Sequence, residues 1–297
     1  KKLKGRLCDK LTNLIRVKAN PWLESVNMKI KIGKDIELAL SLAKDPSATT
    51  WIDLAFDGTI KVGSSAPVPI PGVTMPSSSL QSKMLYLWLS DTAINGVLNA
   101  AHSSGRIQYT ISKENLPPNY AAMLKTSCSG ASLCIGRLLP SLGKKYPNTS
   151  VEFIVKSRQA PEVTLKQGNG TIQLKARLEA RVEKPAGTVA FAGNLAFRGA
   201  IRAHVNASGP KVAASGELLK EGSHVSLQVT ESTIGEEVKS QAHFIVKFGQ
   251  PVILAELNKE LGKGYELPSV KGVEIVEPNV TFEDRLVRVE ASVVYKP

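Results

Sequence analysis

Aromatic side chains are scarce, 5% of the 297 residues, while hydrophobic residues make up 42%. A chain of this length and apolar content can bury a sizeable core or two, and here the core must be aliphatic. Histidine and cysteine are scarcer. The four histidines (His102, His204, His224 and His243) have no metal-ligand spacing with one another or with cysteine. No Gly-x-Ser-x-Gly elbow occurs. Cys128 and Cys134 stand too far apart for a redox Cys-x-x-Cys. These absences point away from hydrolytic, metal and thiol chemistry, so the chain is read as a non-enzyme with no cofactor and no metal. No apolar run is long enough to span a bilayer as a helix.

Charge of one sign dominates. Thirty-eight Lys and Arg stand against 26 Asp and Glu, a formal net charge of +12. The excess favours anionic partners such as membrane surfaces or anionic lipids; its plain alternative is a solvated basic surface. Only Lys1, Lys2, Lys4 and Arg6 form a compact run, read as a solvated terminus. No RNA-recognition, zinc-finger or helix-turn-helix signature is present, so nucleic acid is not an expected partner. The chain opens at Lys1 without an initiator Met or a leader, and the expectation is the C-terminal portion of something longer. Cys128 and Cys134 flank Ser-Gly-Ala-Ser-Leu and either close a local disulfide, the preferred reading, or stay as two buried thiols. That leaves Cys8 unpaired, which suggests a missing partner. Glycosylation sequons stand at Asn148, Asn169, Asn206 and Asn279.

Periodicity organises the rest. Leu7 to Lys18 predicts an amphipathic helix, and Met28 to Ile32 and Ile36 to Leu42 alternate as half-buried strands. Trp51 to Val62 reads as one strand, with a kink or turn at Asp57-Gly58. Pro67, Pro69, Pro71 and Pro76 predict an extended linker, because each ring fixes its own φ and restricts its predecessor. The expected organisation is 1–66, 67–80 as linker and 81–297. Met84 to Leu89 suits a buried strand. Ser90 caps a helix carrying Ile94, Val97, Leu98 and Ala101 on one face, and Gly105 ends it. A strand over Arg106 to Ser112 precedes a looser helical region, 119–146, interrupted at Gly130, Gly136 and Pro140.

From Ser150 the pattern turns to strands: 151–155, 162–166, 171–183, 189–198, 200–206, 211–218 and 223–230, with Gly168-Asn-Gly170 as a hairpin turn. A helical segment over 236–262 carries Ile245, Ile253, Leu254 and Leu257, and Pro251 is expected to break or kink it. Two strands around Glu283-Asp284 close the chain. Helices beside a long antiparallel sheet give an α+β fold: an elongated barrel of strongly twisted antiparallel sheet wrapped on long helices, with a central sheet and a partial second barrel.

Specific words sit in that order: Lys83-Met-Leu-Tyr-Leu-Trp-Leu-Ser-Asp91, Leu139-Pro-Ser-Leu-Gly-Lys-Lys-Tyr-Pro-Asn148, Leu261-Gly-Lys-Gly-Tyr-Glu-Leu-Pro268 and Ala291-Ser-Val-Val-Tyr-Lys296. With them the chain resembles the family of bactericidal/permeability-increasing protein, lipopolysaccharide-binding protein and the lipid transfer proteins. The resemblance covers nearly the whole chain but only part of the family's length. It implies two barrels joined through a central sheet, of which the second (81–297) is complete here and the first (1–66) a remnant. It matches Cys8 to a family cysteine whose partner lies upstream. It implies a secreted, extracellular, monomeric glycoprotein that holds phospholipid or lipopolysaccharide acyl chains in an apolar pocket, in antimicrobial innate immunity. The alternatives are lipid transfer between lipoproteins or membranes, or an interaction domain with a closed barrel. Wall candidates are Ile94, Val97, Leu98 and Ala101 on the first helix and Ile245, Ile253, Leu254 and Leu257 on the later one. Tyr86 and Trp88 are placed near the entry strand. Each has a plain alternative in ordinary core packing.

Overall fold

The computed structural model describes Val17 and residues 28–32, 34–48, 51–76, 82–130, 132–208, 211–263, 265–266 and 273–295. The helix expected over 7–18, the basic run at the start and Cys8 lie outside the described residues, Val17 apart.

The first strands pair where alternation places them. β1 (Lys29–Ile32), β2 (Ile36–Leu42), β5 (Phe56–Val62) and β6 (Val68–Pro69) form one antiparallel sheet in the order β1-β2-β5-β6. The stretch expected as one strand from Trp51 divides. A short hairpin, β3 (Ser47–Ala48) with β4 (Ile52–Asp53), precedes β5. β5 runs through Asp57-Gly58 without a turn. Gly58 serves close packing instead: a Cβ there would lie 2.7 Å from Ile70 Cδ1. The proline-rich stretch is partly strand, since Val68 and Pro69 pair with Ile60 and Thr59 and Ile70 N–H donates to the Gly58 carbonyl.

β7 (Leu85–Ser90) leads into α1 (Asp91–Ser103), where the Ser90 hydroxyl accepts from Ala93 N–H and Gly105 follows at φ 70°. Cap and stop both stand where the sequence sets them. The apolar face of α1 is two adjacent stripes. Val97, Ala100 and Ala101 pack on the first sheet with Ile36, Leu38 and Ile60. Ile94 and Leu98 pack on the neighbouring stripe with Val163, Leu165 and Val287.

β8 (Gln108–Ile111), β9 (Val151–Ser157), β10 (Glu162–Lys166), β11 (Asn169–Val182), β12 (Thr188–Ser208), β13 (Lys211–Ser232) and β14 (Tyr265–Glu266) form the large antiparallel sheet. Its order is β14-β13-β12-β11-β9-β8, with β10 also paired to β11. Each of β12 and β13 is one strand where two are expected. The turn residues that suggested a break, Gly199 in one and the stretch to Gly222 in the other, face each other across a register shift. Arg198 pairs with His224 but Ala200 with Leu219. The shift is a bulge, which bends a sheet without ending its strands. The β10–β11 hairpin turns at Gln167-Gly168, with Gly168 at φ 69° and Asn169 already in β11.

Inside the curve lie α2 (Pro118–Met123), α3 (Ile135–Leu138), α4 (Pro140–Lys145), α5 (Glu237–Ser240) and α6 (Ala242–Gly262). Cys128 and Cys134 form a disulfide just before α3. The Arg137 guanidinium donates to the Gly130 and Ser132 carbonyls within the loop it closes. Pro251 neither ends nor divides α6. It lies on the exposed side, as does Lys247, whose carbonyl loses its helical donor. The break falls instead at Gln241, between α5 and α6.

β15 (Val273–Glu283) and β16 (Leu286–Tyr295) complete a three-stranded sheet with β7. Its hairpin tip interlocks with that of β10–β11. Gly168 N–H donates to the Phe282 carbonyl, and Arg285 N–H to the Leu165 carbonyl. β7 is not buried on both faces: Leu87 and Leu89 are exposed beside Val289 and Val287. The whole is the mixed α+β arrangement of curved sheet around helices that the pattern predicts.

Candidate functional site

The inward residues of β9, β11, β12 and β13 alternate with outward ones, so Phe153, Leu178, Leu195, Val225 and Leu227 all face the helices. Most of this interior is close-packed, with Phe191, Ile135, Leu139 and Leu142 wholly buried. Between α6 and the sheet the packing is incomplete. A cavity of about 50 Å³ remains there. Ile245, Val246, Gly249 and Ile253 of α6 form one wall, and the five sheet residues another. Ile111, Leu116, Tyr120, Met123 and Leu124 close the end. The Tyr120 hydroxyl is the one polar side-chain group among these lining residues, and none carries a charge.

The glycine at position 249 matters here. No atom lies within 4 Å of where its Cβ would be. It leaves empty space on the face of a helix whose other lining residues are bulky. Gly136 has the opposite role at the end of the barrel. A Cβ there would lie 1.7 Å from the Thr126 carbonyl oxygen, so only glycine lets the α3 turn meet the strand-like segment at Thr126.

The sequence-predicted wall residues scatter. Ile245 and Ile253 line the cavity. Leu254 and Leu257 belong to the packed core behind it. Ile94, Val97, Leu98 and Ala101 do not line it, because α1 is taken up between the first sheet and the β10–β16 cluster. Tyr86 and Trp88 lie away from it too. They stand on the polar face of β7, opposite Glu290 and Arg288. Their rings stack at 5.8 Å, and Trp51 meets Tyr86 edge-on at 5.9 Å. The Tyr86 hydroxyl accepts from Lys83 N–H. The remaining lining residues were not singled out in the sequence. Alternation in 151–155, 171–183 and 223–230 marks their faces as inward, but which inward residues border an unfilled volume depends on how α6 seats.

The outer surface is charged. Glu179 sits between Arg177 and Arg181, and hydrogen bonds from Arg181 first and Arg177 second hold its carboxyl below the usual carboxylate range. Arg177 also grips Glu231, and its own pKa rises through bonds to Glu231 and Glu179. Asn148, Asn169, Asn206 and Asn279 are all exposed. Among the described residues, no cluster of His, Cys, Asp and Glu could hold a metal ion, and no helix is long and apolar enough to cross a membrane.

Fold and cavity together define an α+β protein in which a bent antiparallel sheet encloses helices around an apolar, partly unfilled interior. Residues 31–295 match the LBP / BPI / CETP family, C-terminal domain, and the chain belongs to that family. It is a family of non-enzymatic lipid-binding and transfer proteins, in line with the expectation that the chain is not an enzyme. Among its relatives, bactericidal permeability-increasing protein of Sebastes schlegelii is 24% identical over 277 residues, 92% of this chain and 56% of that protein. Lipopolysaccharide-binding protein of Rattus norvegicus is 23% identical over 300 residues, 99% of this chain and 60% of that protein. Cholesteryl ester transfer protein of Gallus gallus is 30% identical over 115 residues, 38% of this chain and 23% of that protein. The crystal structure of lipopolysaccharide binding protein superposes with a TM-score of 0.55 at 20% identity, covering 99% of this chain and 62% of the other. The chain thus spans about 60% of the length of curated relatives it matches.

Proposed function

We propose that the chain is a secreted, non-enzymatic lipid-binding protein that holds the acyl chains of phospholipid or lipopolysaccharide in the cavity beside α6, in defence against bacteria. The cavity carries the reading: its lining residues offer methyl, methylene and aromatic surface and no charge. An acyl chain asks for little else. Each buried methylene contributes about 0.8 kcal/mol. The unfilled interior favours this over a closed barrel serving only as an interaction domain.

The defence role is supported by relatives named for lipopolysaccharide binding and bactericidal action. Transfer of lipid between particles is the second reading, favoured by the local likeness to a cholesteryl ester transfer protein. Secretion, use of the four exposed sequons, a monomeric state and attraction to anionic membranes through the net charge of +12 belong to the same proposal. The test is native mass spectrometry after delipidation, with phosphatidylcholine or lipid A offered back. One lipid per chain is the expected result. A folded chain that takes up neither would overturn the reading.

A further inference from the structure

The outward face of the large sheet carries a second feature, unrelated to the cavity. The outward positions of β9, β11 and β12 include Lys156, Lys175, Arg177 and Arg198, with Arg158 just past the end of β9. Lys156 pairs with Arg177, and Arg158 N–H donates to the Lys175 carbonyl. Ala196 lies directly across from Lys175, and Arg198 is two residues further along β12. His224 follows across from Arg198 on β13. With strands about 4.8 Å apart and about 6.7 Å between successive outward residues, these cations share a field roughly 10 Å wide.

Arg177 is neutralised by Glu179 and Glu231. Lys156, Lys175 and Arg198 are exposed and have no ion pair with a described residue. Arg158 bonds only the neutral Asn194 side chain, at 2.6 Å. Acids border the field: Glu179 and Glu231 on one side, already engaged, Glu162 on another, across from Gln173, and the exposed Glu221 in the bulge beside Arg198. Between the cations the floor is Ala196 and Ser226, a low surface without bulky side chains. Clustered unpaired cations on one face repel one another, and an anion that lies across them relieves that repulsion.

We infer that this face binds a sulfated polysaccharide. The field is spread over three strands on the outer side of the bent sheet, which suits repeated anionic groups along an extended polymer more than one compact phosphate in a concave nest. A membrane surface fits less well. Among the described residues, no large hydrophobic side chain from residues 151–232 is exposed, so nothing on this face can enter the headgroup boundary as interfacial binding requires. No exposed aromatic ring is offered for stacking on nucleobases either.

The experiment is fluorescence anisotropy of the full chain with a labelled heparin-derived decasaccharide at 0.15 M salt. Alongside it run the non-sulfated decasaccharide and phosphatidylglycerol vesicles. The triple variant K156Q/K175Q/R198Q is compared with K31Q/K34Q/K61Q, which removes the same charge from the first sheet. We expect the first to weaken decasaccharide binding about tenfold, equivalent to about 1.4 kcal/mol, and the second less than twofold. Melting temperatures should be unchanged, binding of the non-sulfated sugar absent, and vesicle binding lowered alike by both variants. Equal loss of decasaccharide binding in the two variants would reduce the effect to net charge and overturn the inference. So would a wild-type chain indifferent to sulfation, or a K156Q/K175Q/R198Q variant impaired chiefly toward vesicles.

Discussion

The side-chain amide of Asn258 on α6 makes both backbone hydrogen bonds of Leu218 on β13: Leu218 N–H donates to Oδ1 at 2.6 Å, and Nδ2 donates to the Leu218 carbonyl at 3.0 Å. On α1, Asn95 does the same for Val163 of β10, at 2.7 and 2.8 Å. In each case a helix supplies the donor and acceptor that a neighbouring strand would. Removing either amide leaves a part-buried peptide group unsatisfied, at about 1–3 kcal/mol. Asn258→Ala and Asn95→Ala should each lower the urea-unfolding free energy by that amount. Asn258→Asp should not rescue, because a carboxylate cannot donate to the Leu218 carbonyl.

Gly249 offers a change that separates folding from binding. Gly249→Leu puts a side chain into empty space and replaces glycine in a helix, worth up to about 1 kcal/mol in favour of folding. The melting temperature should hold or rise while acyl-chain uptake, read by displacement of a fluorescent fatty acid, falls. Undiminished uptake would place the lipid elsewhere.

Gly136→Ala should act in the opposite sense. Its new methyl would meet the Thr126 backbone, which has no rotamer with which to move aside. Overpacking of this kind costs about 1–3 kcal/mol even where side chains can yield, so a loss at or above the top of that range is expected in thermal unfolding. Gly143→Ala, whose Cβ would lie 2.8 Å from the same oxygen, should cost less.

Acid should expose the Glu179 network. Its carboxyl titrates lower in the folded chain than its ordinary value of 4.5, held down by Arg181 and Arg177. Glu114 and Glu277 are lowered as well, through hydrogen bonds from Ser112 and Lys83 respectively. A carboxylate with a depressed folded pKa gives its full stabilisation above the unfolded value, and loses it as pH falls through the folded one. Stability should therefore be level from neutrality to about pH 5 and decline below 4.5. Glu179→Gln should flatten that decline when unfolding is followed by circular dichroism. The change at neutral pH should be small, because the ion pairs are partly solvated.

Much of this fold is legible in the sequence, because alternation and caps are local signals. Ser90 and Gly105 bound α1, and β2 and β10 run over the predicted residues. Misreadings arose where one local signal serves two structures. Gly199 and the turn residues near Gly222 look like chain reversals but bend two long strands at a paired bulge. Pro251 looks like a helix stop, yet on an exposed face the helix runs through it. The cavity was legible only by half. Ile245 and Ile253 reach it because they share a helix face, whereas Leu254 on the neighbouring stripe is packed shut. Ile94, Val97, Leu98 and Ala101 read as a single apolar stripe, but neighbouring sheets divide it between them.

That division has a consequence for how the molecule comes apart. By sequence α1 lies beyond the proline-rich stretch, yet Val97, Ala100 and Ala101 complete the small core of the first sheet while Ile94 and Leu98 complete another. Gly96 lets Ile60 press directly against the helix. Neither side can shed the helix without exposing its own interior, so 34–76 and 82–295 should melt in one transition, and a fragment beginning at Ser82 should lose cooperativity rather than behave as a trimmed whole.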